Sequence, residues 1–596
     1  MNFEKKYTDE LKLLLKPFLK NDSYSLDPNK EIYHILAPKI VHNLENLSLD
    51  NVEIKPMHKV IFLHLLKHAK IDFSRTLENF GHKVLGELIS NLFSSALYQH
   101  EKEGNIFSDS FISENIDKKN QTIQLHDPIN IGKIFTRNIL QMEEFRNFIK
   151  NELVLYFLER IAIRDTGVEI FFIKIRQIIL EEVILDPKKI NDKYFISFVK
   201  SISKNCFNNE YSWMESLEET HEIKKLTKIV ESRFLEEGKA FSIEILILSS
   251  YQQLFNYQEL RNYILGNKNS DLKAITKEQI LDFIEEEEIE KDIKKITSIS
   301  NTISLKVSHQ YESHPYPRWN FESIKYPKNY NYFDYIKASC NKKLLNDKKI
   351  KKLLVAGCGT GRHPINIALL DSKIEIHAID LSIKSLAYAA RKANEMGIRN
   401  IKWMHGDINE FKNINEKYDV IESVGVLHHM EKPKIGFEIL SKKLTTDGLM
   451  KIGLYSRSFR KLLTPVKNFL HLKKIKKDKQ SIRLARQLLI SEISNLNNDI
   501  FNITKMSDFY SISGFIDLLL HEQELDFEIS DIKEFYRDKF KFLGFDINNK
   551  NKLLLNKLTK ERLSKTNLTK IEDFVKIEDE NQTFFSNMYQ FWLQKS

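Results

Sequence analysis

The sequence predicts an α plus α/β protein, an all-helical N-terminal region followed by a Rossmann-like sheet domain that carries a helical insertion. Three observations lead there. In the first half, apolar residues recur at three- and four-residue spacing, the period of a helix face. After about residue 300, short β-branched runs alternate with helical stretches, the pattern of βαβ units around a parallel sheet. The 596 residues include only 18 glycines and 12 prolines. That is roughly 3% and 2%, against about 7% and 5% in average chains, too few turn residues for a sandwich or propeller.

At 42% hydrophobic and 29% charged residues, the chain can bury large cores and is neither a disordered tail nor a small disulfide scaffold. Its length allows about three or four domains. Cys206, Cys340 and Cys358 form no CxxC pair and no zinc-ligand spacing, which predicts a reducing compartment and no metal site. The opening MNFEKKYTDELKLLLKPFLK breaks its apolar run with Lys12, Lys16 and Pro17 and reads poorly as a signal peptide. No uncharged apolar run reaches about 18 residues, so a membrane span is not expected and the expected location is cytoplasmic. A net charge of +9 is mild for this length and names no nucleic-acid partner.

Along the chain, HKVIFLHLLKHAKI (His58 to Ile71), HKVLGELISNLFSSALYQH and NFIKNELVLYFLERIAI carry the helical period, with no fixed self-similar repeat. The Glu285 to Glu288 run reads as a solvated helix face, and Thr297 to Ser304 as a linker. Leu353 to Ala356 is a buried strand running into GCGTG, and RHPINIALL starts a helix with Pro364 in its first turn. Lys373 to Asp380, Ile401 to Asp407, Tyr418 to His429 and Gly448 to Tyr455 read as the next strands. After a helical stretch, Lys539 to Ile547 and Phe584 to Lys595 supply two late strands. The expected units are 1–300, helical, for recognition or dimerisation; 301–456, the Rossmann-like core; 457–538, a helical cap; and 539–596, the closing strands.

Gly357, Gly359 and Gly361 lie between a strand and a helix, where missing side chains let a ligand approach the backbone. A dinucleotide fingerprint wants glycine or alanine where Arg362 stands, so a nucleoside with an amino-acid tail fits better than a pyrophosphate. Asp380 follows Gly357 by 23 residues at the end of the next strand, placed to accept both ribose hydroxyls. Asp407 is placed to accept from an adenine amino group, and Glu422 lies beside the expected reaction centre at the carboxyl edge of the sheet.

In order and spacing, VAGCGTG, Asp380, GDI and DVIESVGVLHHM resemble the class I S-adenosylmethionine-dependent methyltransferases over about residues 302–596. The resemblance implies S-adenosylmethionine as cofactor and a seven-stranded sheet in the order 3-2-1-4-5-7-6 with strand 7 antiparallel. It puts Gly357, Cys358, Gly359 and Gly361 along the methionine part, Asp380 and Leu381 at the ribose, and Asp407 and Ile408 at adenine. QYESHPYPRW (Gln310 to Trp319), SDFYSISGFIDLLLHEQ (Ser507 to Gln523) and FFSNMYQFWLQK resemble a bacterial group with a long helical or tetratricopeptide-like N-terminal region, related to the rickettsial protein-lysine methyltransferases that modify outer-membrane protein B. No tetratricopeptide consensus is present here.

Methyl transfer from a sulfonium is an in-line displacement, so the catalyst mainly positions the nucleophile and excludes water. A lysine acceptor must first lose its proton. The expected lid comprises Tyr311, Tyr316, Arg318 and Trp319, with Tyr311, Arg318 and Glu422 also at the cofactor. The catalytic candidates are Tyr316, Trp319, Glu422 and His428, with His429 beside them and Asp508, Tyr510 and His521 from the cap. Trp319 reads equally as core filler and Asp508 as a turn cap. The His428–His429 pair lacks a ligand-spaced partner in the sequence. The basic stretch His471 to Gln487 is the one argument for RNA, though it also suits an amphipathic helix. The expected function is protein N-methylation at lysine, of an outer-membrane or surface protein before export, with the helical half recognising the acceptor or forming a homodimer. A small-molecule methyltransferase, an RNA methyltransferase and, outside enzymes, an interaction protein with a degenerate nucleotide fold are the alternatives.

Overall fold

The computed structural model describes residues 59, 62–63, 66–67, 75–107, 116–117, 122–123, 135–266, 269–320, 331–340, 345, 349–495, 503–536, 539–547, 551, 555, 571–582, 584–585 and 587–596. The expected helices before residue 75 therefore lie almost wholly outside the described residues.

The first half is helical because its caps and apolar stripes agree. The Thr166–Leu185 helix starts where the Asp165 side chain accepts from Val168 N–H, and it buries Phe171, Phe172, Ile175, Ile178 and Ile179. The Leu217–Glu237 helix opens on a capping box, Ser216 with Glu219, and stops at Gly238, whose φ of 67° only glycine adopts cheaply. These helices share one core with Lys193–Asn208 and Ser242–Leu248. One correction to an all-helical reading is a two-residue hairpin, Ile116–Asp117 against Thr122–Ile123.

Among the described residues the sheet has eight strands: β1 (Lys294–Lys295), β2 (Lys352–Ala356), β3 (Glu375–Asp380), β4 (Ile401–His405), β5 (Tyr418–Val424), β6 (Leu444–Tyr455), β7 (Phe540–Phe545) and β8 (Met588–Lys595). Their order is β1-β4-β3-β2-β5-β6-β8-β7. Seven follow the expected order, with β8 antiparallel to both neighbours. The eighth, β1, pairs parallel to β4 and comes from the stretch assigned to the helical half. The segment read as a linker is partly held to the sheet as well: Ile296 N–H donates to His405 O at 2.9 Å, and Asp407 N–H to Thr297 Oγ1 at 2.7 Å. An exposed pair of lysines covers the edge that β4 would otherwise present. The strand read through His429 instead ends at Val424, because Gly425 turns the chain at φ 79° and Leu427–His429 forms a 3₁₀ turn.

Apolar clusters cover both faces of the sheet, while the insertion builds its own core from Leu463, Val466, Ile482, Phe509 and Phe515. That insertion is fastened to the helical half. In the Lys479–Asn495 helix, Arg486 donates to Glu169 Oε2 at 2.8 Å, Ser212 O at 2.6 Å and Phe509 O at 2.8 Å. Arg483 donates to Tyr211 O at 2.8 Å and pairs with Glu215. Both arginines of the stretch that suggested an RNA surface are thus spent on carboxylates, Glu169 buried and Glu215 half-buried, because a guanidinium satisfies several acceptors at once. Among the described residues no helix is long and apolar enough to cross a membrane.

Candidate active site

A cavity of about 670 Å³ opens at the carboxyl edge of β2, β3 and β5, where the strand order reverses and open α/β sheets bind ligands. The sequence makes this edge through the turn after β2. Gly357, Gly359 and Gly361 have φ of 80°, 52° and 79°. A Cβ on Gly361 would lie 2.3 Å from Ala389 Cβ, and one on Gly359 would lie 2.9 Å from Tyr316 O. The turn does not offer the free amides that its glycines suggested. Gly357 and Cys358 N–H donate to Ile379 O, Gly361 N–H to Cys358 O, and Gly359 N–H to Asp380 Oδ2 at 2.7 Å. The glycines therefore supply room and curvature, and their amides tie the turn to the end of β3 and, at Gly361, to itself.

Asp380 ends β3 with each carboxylate oxygen accepting one backbone N–H, from Gly359 at 2.7 Å and Ser382 at 2.9 Å. Burial raises its pKa against the pull of those amides, and each oxygen retains a lone pair for a hydroxyl donor. Asp407 caps the turn after β4 by accepting from Asn409 N–H at 2.8 Å through Oδ1. Its Oδ2 is buried with no partner, a cost of about 1–3 kcal/mol unless a ligand donates there. Asp380, Leu381, Asp407 and Ile408 line one end of the cavity together with Ser304 and Val307. These residues fit the adenosine part of S-adenosylmethionine, because the unpartnered carboxylate oxygen needs a donor such as an amino group. Gly357, Cys358 and Gly359 line the middle, beside Thr360.

The other end is walled by Tyr311, Tyr316, His429, Tyr455, Asp508 and Asp517. Tyr311 comes from the Thr302–Ser313 helix, whose positions 304, 307 and 311 all reach the cavity. Tyr316 donates to Asp508 Oδ1 at 2.8 Å, and Tyr311 to Asp517 Oδ1 at 2.7 Å. Burial, then the neighbouring carboxylates, raises both tyrosines well above their ordinary range, so they stay protonated donors. Asp517 was not singled out by the sequence. Its signal was there, as the lone charge in the wholly buried Ile512–Leu519 helix.

Five expected site residues stand elsewhere. Gly361 faces Ala389 and Trp403 and does not line the cavity. Trp319 is a core residue, with its indole N–H donating to Thr360 O at 3.0 Å and its ring against Tyr388. Arg318 lies over Phe207 at 4.6 Å and Phe283 at 5.6 Å, both from the helical half. His428 is fully buried and stacks on Tyr455 with centroids 3.7 Å apart. Glu422 does not line the cavity: it bonds to Tyr332 and, at 2.6 Å, to His363 Nε2. Burial pushes its carboxyl up to about 7. Of these partners His363 does line the cavity, as do Lys451 and Asp546, joined at 2.7 Å. Tyr510, another cap candidate, is buried and donates to Thr504 O.

Residues 347–510 match the family model of a methyltransferase domain. A protein of Synechococcus sp. with no assigned function is 23% identical over 261 residues, 42% of this chain and 61% of that one. Among solved structures, PKMT2 from Rickettsia typhi is 18% identical, with a TM-score of 0.35 over 47% of this chain and 54% of that chain. Magnesium protoporphyrin IX methyltransferase from Synechocystis PCC 6803 is 13% identical, with a TM-score of 0.25 over 50% and 90%. The chain thus spans less than two thirds of the first two relatives, and none of the likenesses is close enough to speak to a substrate. With the matched domain, the strand order and the glycine turn in place, residues 347–510 of this chain form a methyltransferase domain, set in a sheet with the strand order that the resemblance to class I S-adenosylmethionine-dependent methyltransferases implies.

Proposed function

We propose that the chain transfers a methyl group from S-adenosylmethionine to an amine nitrogen, that of a lysine side chain in a protein. One observation carries this reading: the cavity wall beyond the glycine turn presents two carboxylates, Asp508 and Asp517, each held by a tyrosine hydroxyl. A desolvated wall of carboxylates and rings attracts a cation and repels an acidic acceptor. Gly357, Cys358 and Gly359 would hold the methionine part of the cofactor, Asp380 the ribose and Asp407 the adenine. When bound, the cofactor supplies an electrophilic methyl on a sulfonium, which removes the need for an acid to activate a leaving group.

The protein's own residues would orient the acceptor and exclude water. Tyr311 and Tyr316 cover the cavity, while the Pro317 carbonyl ties the segment to Thr360 Oγ1. Arg318 binds that same segment to the helical half, so the half that would recognise a protein acceptor reaches the catalytic cover directly. A second reading, a small amine as acceptor, is favoured by the cavity volume, which falls within the range of small-ligand sites. Methyl-labelled S-adenosylmethionine, incubated with the protein and a bacterial extract separated into protein, RNA and small-molecule fractions, decides between them. Label in protein, mapped to lysine by peptide mass spectrometry, is expected. Label confined to small molecules would replace the leading reading with the second, and label in RNA would refute both.

A further inference from the structure

Around Asp517 the hydrogen bonds have a direction. Gln523 N–H donates to His521 Nδ1 at 3.1 Å, so neutral His521 carries its proton on Nε2. That N–H meets the Tyr311 oxygen at 3.1 Å, and the Tyr311 hydrogen is then directed to Asp517 Oδ1 at 2.7 Å. The chain ends in an acceptor and holds one oxygen of Asp517 fixed. Among the described residues the other, Oδ2, has only the Tyr455 hydroxyl, at the 3.5 Å limit of a hydrogen bond, and Asp517 lines the cavity.

From this geometry we infer that Asp517 is the base that takes the acceptor's proton, and that Tyr311 and His521 are positioning residues that orient it. The inference rests on the amine acceptor proposed above. In the step, the ammonium gives a proton to Asp517 Oδ2 and gains a lone pair. The nitrogen forms its bond to the methyl carbon as the carbon–sulfur bond breaks with its electron pair on sulfur. The methylated ammonium leaves, and Asp517 returns its proton to solvent, one proton released per transfer.

The surroundings suit that role. Burial pushes Asp517 up to about 7, and nearby Asp508 adds to this, while the Tyr311 hydrogen bond and the Arg460 charge pull the other way. Arg460 is paired with Glu524. The remaining groups facing the carboxylate are Tyr316 and Tyr455, both protonated, and two histidines, His429 and His521, held neutral by burial. A carboxylate near 7 is a stronger base than an ordinary one and is still partly ionised at neutral pH. His429, Asp517 and His521 also bring ligand atoms within 4.8 Å of one another, the spacing of a metal cluster. The same hydrogen bonds argue against that use: the one lone pair of neutral His521 is taken by Gln523 N–H, which leaves it none to give a cation.

Poly-L-lysine serves as acceptor in the test, with methyl-labelled S-adenosylmethionine, from pH 5.5 to 9. Asp517→Asn is expected to lower turnover about 100-fold or more at pH 7, the share usual for a general base, and to abolish the acid limb of the pH profile. Tyr311→Phe removes a donor to the carboxylate, so the carboxyl pKa rises and the acid limb moves to higher pH. A readout free of turnover is the ¹³C resonance of the Asp517 carboxyl, assigned by its loss in Asp517→Asn and followed through its titration without cofactor. In Tyr311→Phe it should titrate at higher pH than in the wild type. Wild-type transfer to poly-L-lysine with Asp517→Asn equally active, or a Tyr311→Phe titration unmoved, would overturn the inference while leaving the amine acceptor standing. A wild type that labels RNA or neutral metabolites but neither poly-L-lysine nor protein would remove the acceptor reading and the base together.

Discussion

Arg486→Met is expected to destabilise the protein by about 3–5 kcal/mol, the cost of leaving a buried carboxylate without its partner. Arg486 and Glu169 are each under 5% exposed in their side chains and meet at 2.8 Å. The same arginine satisfies the carbonyls of Ser212 and Phe509, so its removal orphans acceptors on both sides of the contact between the helical half and the insertion. The double variant Arg486→Met/Glu169→Leu should recover much of the loss, because replacing both members by apolar groups removes the stranded charge. Chemical unfolding of the three proteins measures this; a single-variant loss below about 1 kcal/mol would mean the contact opens to water.

Gly361→Ala is the second large effect. Its φ of 79° costs an L-residue about 1–2 kcal/mol. The added Cβ would also sit 2.3 Å from Ala389 Cβ, 3.1 Å from Ala389 Cα and 3.0 Å from Trp403 Cη2. Ala389 lies inside the Ile383–Glu395 helix, whose backbone cannot give way, and such overpacking adds about 1–3 kcal/mol. The total is about 2–5 kcal/mol, with cofactor affinity lost alongside as the turn is displaced. Gly397→Ala is the control: it too has positive φ, but nothing lies within 4 Å of its Cβ, so only the conformational cost remains. Equal losses at the two sites, by thermal unfolding, would show that packing against Ala389 contributes nothing.

What the sequence made legible is local. Strands β2 to β6 announce themselves as β-branched runs, and the turn after β2 by its glycines. The carboxylates Asp380 and Asp407 stand at strand ends, where spacing along the chain is also spacing in the sheet. The acceptor wall was only partly legible because it is assembled from segments around 311–316, 429, 455 and 508–521, which no spacing relates. Tyr316, Arg318 and Trp319 read as one cover, yet their side chains go three ways: to Asp508, to Phe207 and Phe283, and to Thr360 and Tyr388. Glu422 and Lys451 are the only charges at the buried positions of their strands, directly opposite in the pairing of β5 with β6. Neither strand alone shows that the other supplies a countercharge. β1 was missed because Lys294 and Lys295 carry no strand signal, and β4 alone pairs them into the sheet.

Calorimetric titration of S-adenosylhomocysteine into the wild type and Asp380→Ala tests the central claim, that the crevice at the glycine turn is a methyl-donor site, most directly. One bound equivalent is expected for the wild type, and a loss of about 1.5–3 kcal/mol for the variant as charge-assisted hydrogen bonds to the ribose disappear. Absence of binding by the folded wild type, or an unchanged affinity in Asp380→Ala, would contradict it.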